Sequence, residues 1–210
     1  IFKIKVGDPV APNVEFDFNE KTGICFGKAF DNRVGCFCII ETLKALADIA
    51  ELEVNVVGAF ATQEEVGIRG AQITTKVVNP DLAIVFEGSP ADDLYYSKNI
   101  SQGVLKKGAQ IRNLDQGYIA NPLFIRYAED LAEKNSIKYQ NAVRRGGSTD
   151  AAKISLGNKA VPCLVLGIPS RYVHSHYNYC AKDDIEASVA LAVEVIKNLT
   201  EESINKIMRK

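Results

Sequence analysis

The feature that most constrains the fold is an apolar run at residues 54–61 that leads into two adjacent glutamates, Glu64 and Glu65. A mostly apolar run without alternation is typical of a strand covered on both faces. Adjacent carboxylates at the end of such a strand repel each other and lose hydration, so a fold retains them only with a compensating charge, such as divalent metal ions. The alternative is a polar loop in which both glutamates are solvated.

Composition limits the classes of protein. A chain of 210 residues can bury one sizeable core, so one domain is expected. The 25 Lys and Arg residues nearly balance the 26 Asp and Glu residues, which predicts no nucleic-acid or membrane partner. No apolar run approaches the roughly 20 residues of a membrane span.

The cysteines indicate a reducing environment. Their number is odd and their spacing does not match the paired zinc-binding motifs, which favours a cytoplasmic protein. Cys36 and Cys38 lie in an apolar helical stretch and are predicted to be small core residues.

Two further segments place an acid where a core element begins or ends. Asp31 precedes apolar residues at helical spacing, so it is predicted to cap that helix, and its remaining lone pairs could still bind a ligand. A second apolar strand, at residues 82–86, ends at Glu87. Because ligands in open α/β sheets gather at one end of the strands, this recurrence indicates a site.

The rest of the chain alternates between strand and helix patterns. Further strands are predicted near Val104 and Ile111 and at residues 137–143 and 161–168. Asn121, followed by proline, predicts a helix start. The last helix is predicted to be capped by Asp183 or Asp184. This alternation predicts an α/β three-layer sandwich with a mostly parallel central sheet.

A glycine-rich turn and a histidine pair complete the candidate site. Gly146 and Gly147 would let a substrate backbone approach closely. The alternative is a simple strand-to-helix turn in which Thr149 or Asp150 caps the next helix. His174 and His176 follow a predicted strand end, where a histidine beside carboxylates is a candidate metal ligand. Both rings would point to one side only in an extended segment.

Four segments in this order resemble the M42 family of metallo-aminopeptidases, which includes the glutamyl and tetrahedral aminopeptidases and FrvX. They are GKAFDNRVG at 27–35, ATQEEVGIRG at 61–70, RGGSTDA at 145–151 and RYVHS at 171–175. The resemblance extends from about Val6 to the last helix and implies a zinc-peptidase-like catalytic domain.

The resemblance also implies roles for the acids and the histidine. Asp31 would bridge two divalent ions, zinc or cobalt. Glu65 and His174 would complete the coordination of the first ion, and Glu87 would bind the second ion. Glu64 would be the general base that takes a proton from the attacking water.

Gly146 and Gly147 would lie beside the substrate peptide. The family implies a cytoplasmic enzyme that trims short peptides and assembles into a homo-oligomer, commonly a tetrahedral dodecamer. Two alternatives stay open: hydrolysis of another amide on the same scaffold, and a non-catalytic paralogue. A glucanase is disfavoured, because its two carboxylates would have no use for His174 or a bridging Asp31.

This chain departs from the family pattern in two ways. Many relatives have Asp where this chain has Glu87, and the family's second ion needs a histidine from an upstream His-x-Asp motif. Both histidines here lie in the C-terminal part. Because relatives are longer, residues 1–26 are expected to be the remnant of an inserted β-rich dimerisation domain and the return from it. Residues 27–210 are expected to form the catalytic domain, which alone would hold the second ion weakly or not at all.

Overall fold

The computed structural model describes residues 2–97 and 99–209, which form a seven-stranded sheet flanked by helices. In chain order the elements are β1 (Asp17–Asn19), β2 (Ile24–Gly27), α1 (Phe30–Ala47), α2 (Arg69–Val78), β3 (Ala83–Pro90), β4 (Ala109–Leu114), α3 (Pro122–Lys134), β5 (Tyr139–Val143), α4 (Ala151–Ile154), β6 (Cys163–Arg171), β7 (Asn178–Ala181), α5 (Lys182–Lys197) and α6 (Glu201–Met208).

Strand β6 organises the sheet. Along one edge it pairs in parallel with all of β3, and along the other it pairs antiparallel with β4 and then with β7. The pairing of β4 with β5 is also parallel, whereas β1, β2 and β7 form an antiparallel extension. The two longest ladders are therefore parallel, which confirms the predicted α/β class, and the shorter antiparallel ladders make the sheet mixed.

Helices cover the sheet. Helices α1 and α3 both contact α5, while α2 contacts α4, which in turn contacts β3 and β6. Strand β6 is buried from Cys163 to Ser170, on both of its faces, as expected in a three-layer sandwich. The largest fully buried apolar side chains are Phe124, Ile111, Leu164, Leu166 and Ile168. No helix in the described part of the chain has the length and apolar character needed to cross a membrane.

One predicted strand is wrong. Residues 54–61 form no strand in the structure, and their exposure alternates along the segment instead of being low throughout. Gly58 packs on α1, where an added Cβ would lie 2.7 Å from Leu43. The opposite side of the segment is open, so that Val57 is 60% exposed and Phe60 50%. An apolar run predicts two covered faces, but among the described residues only one neighbouring layer covers this segment.

Some of the predictions for single residues are confirmed and others are wrong. Asn121 caps α3 as predicted, because its Oδ1 accepts hydrogen bonds from the next two backbone amides. No strand forms at Val104, whereas Ile111 lies in β4. Cys38 is buried as predicted, but Cys36 is exposed because it lies on the outer side of α1.

The predicted cap of α5 is also wrong. The helix begins at Lys182, and neither Asp183 nor Asp184 makes a cap bond. The fully buried Asp184 instead accepts 2.7 Å hydrogen bonds from the backbone amides of Lys106 and Gly108. The Asp184 carboxylate therefore binds backbone amides that are distant in sequence and does not cap α5.

Candidate metal centre

Asp31 lies in an irregular first turn of α1 and does not cap the helix, contrary to the sequence prediction. The N-cap position is Ala29, without a side-chain cap bond, and the backbone is non-helical at Asp31 and Asn32. Asn32 takes the capping role, since its Oδ1 accepts a 2.9 Å hydrogen bond from the amide of Gly35. Its Nδ2 donates to the carbonyl of Phe86 at 2.8 Å, which joins this turn to β3. The Asp31 carboxylate is thereby left free for other partners.

A glycine in β3 allows Asp31 to approach the sheet. A Cβ added at Gly88 would lie 2.8 Å from the Cα of Asp31, closer than real contacts allow. Gly88 directly follows Glu87, so the same short stretch of β3 brings two predicted ligand positions near each other. The sequence analysis did not single out Gly88.

The structure brings together three of the candidate ligands, Asp31, Glu65 and His174. The Nε2 atom of His174 lies 3.1 Å from Oδ2 of Asp31 and 3.5 Å from Oε2 of Glu65. One potential ligand atom from each side chain lies within 4.8 Å of the other two. Ligand atoms bound at 2.0–2.2 Å around a tetrahedral zinc ion are about 3.3 Å apart, so this spacing fits a divalent ion.

The three side chains differ in exposure. The side chain of Asp31 is 9% exposed, whereas those of His174 and Glu65 are 68% and 59% exposed. Asp31 therefore forms the floor of the cluster, while the other two groups form a rim that is open to solvent.

His174 is held by a turn rather than by an extended segment. After β6 ends, Tyr172 and His174 both have positive φ values, 59° and 64°. The ring of His176 consequently packs on the ring of Tyr177, at 4.3 Å between centroids, and does not join the cluster. The condition for two converging histidines, an extended segment, is not met.

Asn178, which the sequence analysis missed, ties this turn to the first helix. Its Nδ2 donates to the carbonyls of Tyr172 and Ser175 at 2.6 and 3.1 Å. Its Oδ1 accepts a 3.1 Å hydrogen bond from the amide of Phe30. One buried amide side chain thus positions the segments that carry Asp31 and His174, and no local sequence motif marks it.

Burial and like charges raise the pKa values of the acids in this region. The pKa of Glu64 rises to about 7, mainly through burial and then through the charges of Asp150, Glu65 and Asp31. Burial, followed by the charge of Glu65, raises the pKa of Asp31 to about 6. Burial and the charge of Asp31 raise the pKa of Glu87 well above its usual range. These acids would become anionic more readily beside a bound cation.

Glu87 lies in β3 and is 8% exposed. Within residues 2–97 and 99–209, the group of closely spaced ligand atoms contains Asp31, Glu65 and His174 but not Glu87. Glu87 is nevertheless near enough to Asp31 and Glu64 to interact with their charges. The structure therefore places Glu87 beside the three-residue cluster without including it.

Asp150 is a further acid of the site, for which the sequence analysis offered helix capping, by Thr149 or Asp150, as an alternative. Its side chain makes no cap bond to α4, and Thr149 Oγ1 instead accepts a 3.3 Å hydrogen bond from the amide of Ala151. The Oδ1 atom of Asp150 is buried without a hydrogen-bond partner among the described residues. Burial raises the pKa of Asp150, and its charge acts on Glu64 and Glu87.

The glycine pair lies on open surface. A Cβ added at Gly146 or Gly147 would meet no atom within 4 Å, so the space on the side-chain side of both residues is open in the described part of the protein. Gly147 has φ of +76°, which favours glycine, and its carbonyl accepts a 3.1 Å hydrogen bond from the amide of Gln116. The turn therefore has backbone and space that a ligand could use.

An α/β sheet that gathers carboxylates and an imidazole from separate elements is typical of metal-binding α/β enzymes. The chain belongs to the M42 glutamyl aminopeptidase family, whose model matches residues 2–204.

Individual relatives support this assignment. The glutamyl aminopeptidase of Lactococcus lactis subsp. cremoris is 35% identical over 206 residues, which are 98% of this chain and 57% of that protein. The crystal structure of a TET aminopeptidase from a marine sediment archaeon of the Thaumarchaeota is 34% identical, with a TM-score of 0.93. That match covers 97% of this chain and 58% of the archaeal aminopeptidase chain.

The TET1 peptidase of Pyrococcus horikoshii, which can assemble into a tetrahedron or a large octahedral shell, is 29% identical with a TM-score of 0.77. That match covers 89% of this chain and 54% of the peptidase. The chain thus spans a little over half the length of these relatives.

Proposed function

We propose that this chain forms most of the catalytic domain of a metal-dependent aminopeptidase that removes N-terminal residues from short peptides. The observation that carries the proposal is the convergence of Asp31, Glu65 and His174, whose ligand atoms lie within 4.8 Å of one another. Membership of the M42 family supports the same activity.

The donor set fits divalent metal ions. Asp31, Glu65 and His174 would hold the first ion, and Asp31 with Glu87 would hold the second. Carboxylate oxygen and imidazole nitrogen are ligands that zinc and cobalt both accept. Bound ions would acidify a water molecule and polarise the scissile carbonyl group.

The second ion would be held weakly by this chain taken alone. In the part of the chain that the structure describes, Asp31 and Glu87 are the side chains proposed for it, and both histidines follow β6. A further ligand from an upstream His-x-Asp motif would complete the coordination of the second ion. Metal analysis that finds two tightly bound ions on residues 1–210 would contradict this part of the proposal.

Glu64 would act as the general base. Burial and neighbouring acidic charges raise the pKa of Glu64 to about 7, and bound cations would lower it, so that Glu64 would be ionised and able to accept a proton at neutral pH. Glu64 would take a proton from the attacking water and deliver it to the leaving amine. Such a proton transfer contributes typically 10²–10⁴-fold to the rate.

The open turn at Gly146 and Gly147 would receive the substrate backbone. The absence of a Cβ on both residues would let a peptide strand lie close to the turn and form hydrogen bonds with its backbone. Asp150 follows on the same turn, close enough for its charge to act on Glu64.

Residues 1–26 would be the remnant of an inserted dimerisation domain and the return from it, and residues 27–210 would be the catalytic domain. We propose a homo-oligomer, because the similar TET1 peptidase can assemble into a tetrahedron or a large octahedral shell. We also propose a cytoplasmic location, which the cysteine usage favours. Light scattering of the purified protein would measure the size of the assembly.

The activity is tested with paired substrates. The whole protein, loaded with zinc or cobalt, is assayed on short peptides with a free N-terminal amine and on the same peptides carrying an N-acetyl group. We expect hydrolysis of the first residue in the free-amine series only. Equal or preferential hydrolysis of the acetylated series would instead indicate an amidase acting on acylated substrates.

A further inference from the structure

A bidentate ion pair lies at the start of the turn that carries His174. Arg171 is the last residue of β6, and its Nε and Nη2 donate hydrogen bonds to Oδ1 and Oδ2 of Asp93 at 3.0 and 2.9 Å. The side chain of Asp93 is 10% exposed and that of Arg171 is 32% exposed. Two parallel charge-assisted bonds fix the orientation of both groups as well as their distance. This pair is therefore more restrictive than a single contact between flexible surface charges.

The backbone of the next loop holds Asp93 in place. Its Oδ2 also accepts a 3.1 Å hydrogen bond from the amide of Leu105. Burial acts to raise the pKa of Asp93, but the hydrogen bonds from Arg171 and Leu105 outweigh it, so that the pKa lies below its usual value. The carboxylate therefore stays charged and offers Arg171 a fixed partner.

The ion pair continues the connection between β3 and β6 beyond their ladder. The last ladder pair is Pro90 with Ser170, and the amide of Ala91 then donates to the carbonyl of Ser170 at 2.9 Å. Asp93 lies shortly after the end of β3, and Arg171 directly follows Ser170. The point at which the chain leaves β6 is therefore fixed to β3 by backbone and side-chain contacts in succession.

The turn beyond this pair needs contacts that determine its backbone. Tyr172 and His174 both have positive φ values, in a region that residues other than glycine seldom occupy. Such conformations persist where the surrounding structure determines them. Asn178 holds the turn from its far side through backbone carbonyl groups. The ion pair of Asp93 with Arg171 holds the end at which the turn begins.

The position of the His174 ring depends on this backbone. Because the side chain is 68% exposed, packing restricts the ring little, and the turn decides where Nε2 lies. Strand β3 also carries Gly88, against which the backbone of Asp31 packs. The pair of Asp93 with Arg171 therefore joins the strand that supports one candidate ligand to the strand end that supports the other.

We propose that Asp93 and Arg171 are positioning residues for His174: their ion pair fixes the start of the turn at residues 172–176, and thereby the distance at which His174 and Asp31 can share the first divalent ion. This inference rests on the proposed metal centre. It assigns neither residue a contact with metal or substrate. Residues that orient metal ligands typically change metal affinity by 10–100-fold when they are replaced, and a pair that acts through the backbone should lie near the lower limit.

The test measures binding of the first ion rather than turnover. Zinc is titrated calorimetrically into the whole protein and into R171Q and D93N, each of which removes one half of the ion pair. We expect the affinity for the first ion to fall about 10-fold in each variant. The double variant should lose no more than either single one, because both residues act through one contact. R171K keeps the charge but loses the planar fork, so it should recover part of the affinity.

Cobalt provides a readout that a general loss of stability would not change. With one equivalent of cobalt bound, the visible absorption spectrum reports the number and geometry of the ligands. H174A, which lacks the histidine ligand, gives the reference spectrum for a site without that nitrogen. We expect the spectra of R171Q and D93N to shift toward that of H174A.

The matched control is R144Q. Arg144 Nη1 donates at 3.2 Å to Oδ2 of Asp92, the neighbouring aspartate, but Arg144 belongs to the turn of the glycine pair. R144Q should lower the unfolding temperature and leave the first-ion affinity and the cobalt spectrum unchanged. If R171Q binds the first ion as tightly as the unsubstituted protein, the inference is wrong. Equal weakening in R171Q and R144Q would also overturn it, because that result indicates general loosening.

D93N covers failure of R171Q to fold, and unchanged first-ion affinity in D93N would then overturn the inference. H174A tests the metal centre itself in the same titration. If H174A binds zinc as tightly as the unsubstituted protein, the proposed metal centre fails together with this inference. If H174A loses the first ion while R171Q and D93N keep it at full affinity, only the inference fails.

Discussion

The imidazole Nε2 of His174 lies 3.1 Å from the carboxylate Oδ2 of Asp31, although Asp31 follows β2 and His174 follows β6. Two long-range contacts bring them together: Asn178 binds both segments, and Gly88 lets the Asp31 backbone approach β3. Both atoms are proposed ligands of the first divalent ion, and their separation lets one cation bind both of them.

Replacing Glu64 with glutamine should separate catalysis from metal binding. The variant E64Q keeps the shape of the side chain but cannot accept a proton, so we expect turnover to fall about 10²–10⁴-fold. Metal content, measured by mass spectrometry, should stay unchanged because Glu64 is not proposed as a ligand. E51Q, which alters an exposed glutamate upstream, is the matched control and should keep full activity. Persistent turnover in E64Q would show that the base is a different group.

Removing the charge of Asp150 should shift the pH dependence of activity. A general base must be deprotonated, so activity should rise as the pH passes through the pKa of Glu64. After burial, the charge of Asp150 is the largest contribution that raises this pKa. In D150N the pKa of Glu64 should fall, and the acidic limb of kcat/KM should move to lower pH. A limb that stays in place or moves to higher pH would exclude this electrostatic link.

The metal-free protein should lose stability as the pH rises from about 4 to about 7. Glu64 and Asp31 have folded-state pKa values of about 7 and about 6, above those of the unfolded chain. The folded state therefore holds protons that the unfolded state has already released, and the stability gained below pH 4 is lost as these groups ionise. For a chain of this size each kcal/mol lowers Tm by about 2–4 °C.

Thermal unfolding in a chelating buffer, repeated at several pH values, measures the slope of Tm against pH. The slope should become shallower in E64Q, which removes one of the raised groups. It should also become shallower with excess zinc, because the bound cation takes the place of the protons. A metal-free Tm that rises steadily between pH 4 and pH 7 would contradict the raised pKa values.

An alanine at Gly88 should disturb the candidate metal centre. Its Cβ would lie 2.8 Å from the Cα of Asp31, and an overpacked position of this kind typically costs about 1–3 kcal/mol. We expect G88A to have a lower Tm and weaker zinc binding. G146A is the control, since a Cβ there meets nothing within 4 Å, and its stability should change by about 0.5 kcal/mol or less. Equal zinc affinity in G88A and the unsubstituted protein would rule out this packing requirement.

The sequence predicted elements whose signals are local. The Asn121 cap and the apolar run of β6 were both recognisable, because a cap depends on adjacent backbone amides and a strand covered on both faces is apolar at successive positions. The meeting of Asp31, Glu65 and His174 was predicted from their positions at element ends together with the family resemblance. The structure brings these three side chains together.

What the sequence could not predict depends on distant partners. Asp31 and Asp184 both resemble helix caps in the sequence. In the structure the Asp31 carboxylate instead contacts His174, and the Asp184 carboxylate accepts hydrogen bonds from the backbone amides of Lys106 and Gly108. The run at residues 54–61 resembles a doubly covered strand, although one of its sides is open in the structure. Asn178 acts only through segments that are remote in sequence. Such competition between local and long-range partners leaves no local pattern.

The most direct test of the metal centre is anomalous X-ray scattering from crystals of the protein grown with zinc, measured on both sides of the zinc absorption edge. We expect a strong peak bound by Asp31 Oδ2, Glu65 Oε2 and His174 Nε2, and loss of that peak in H174A. A zinc peak elsewhere, with none at these three atoms, would contradict this expectation.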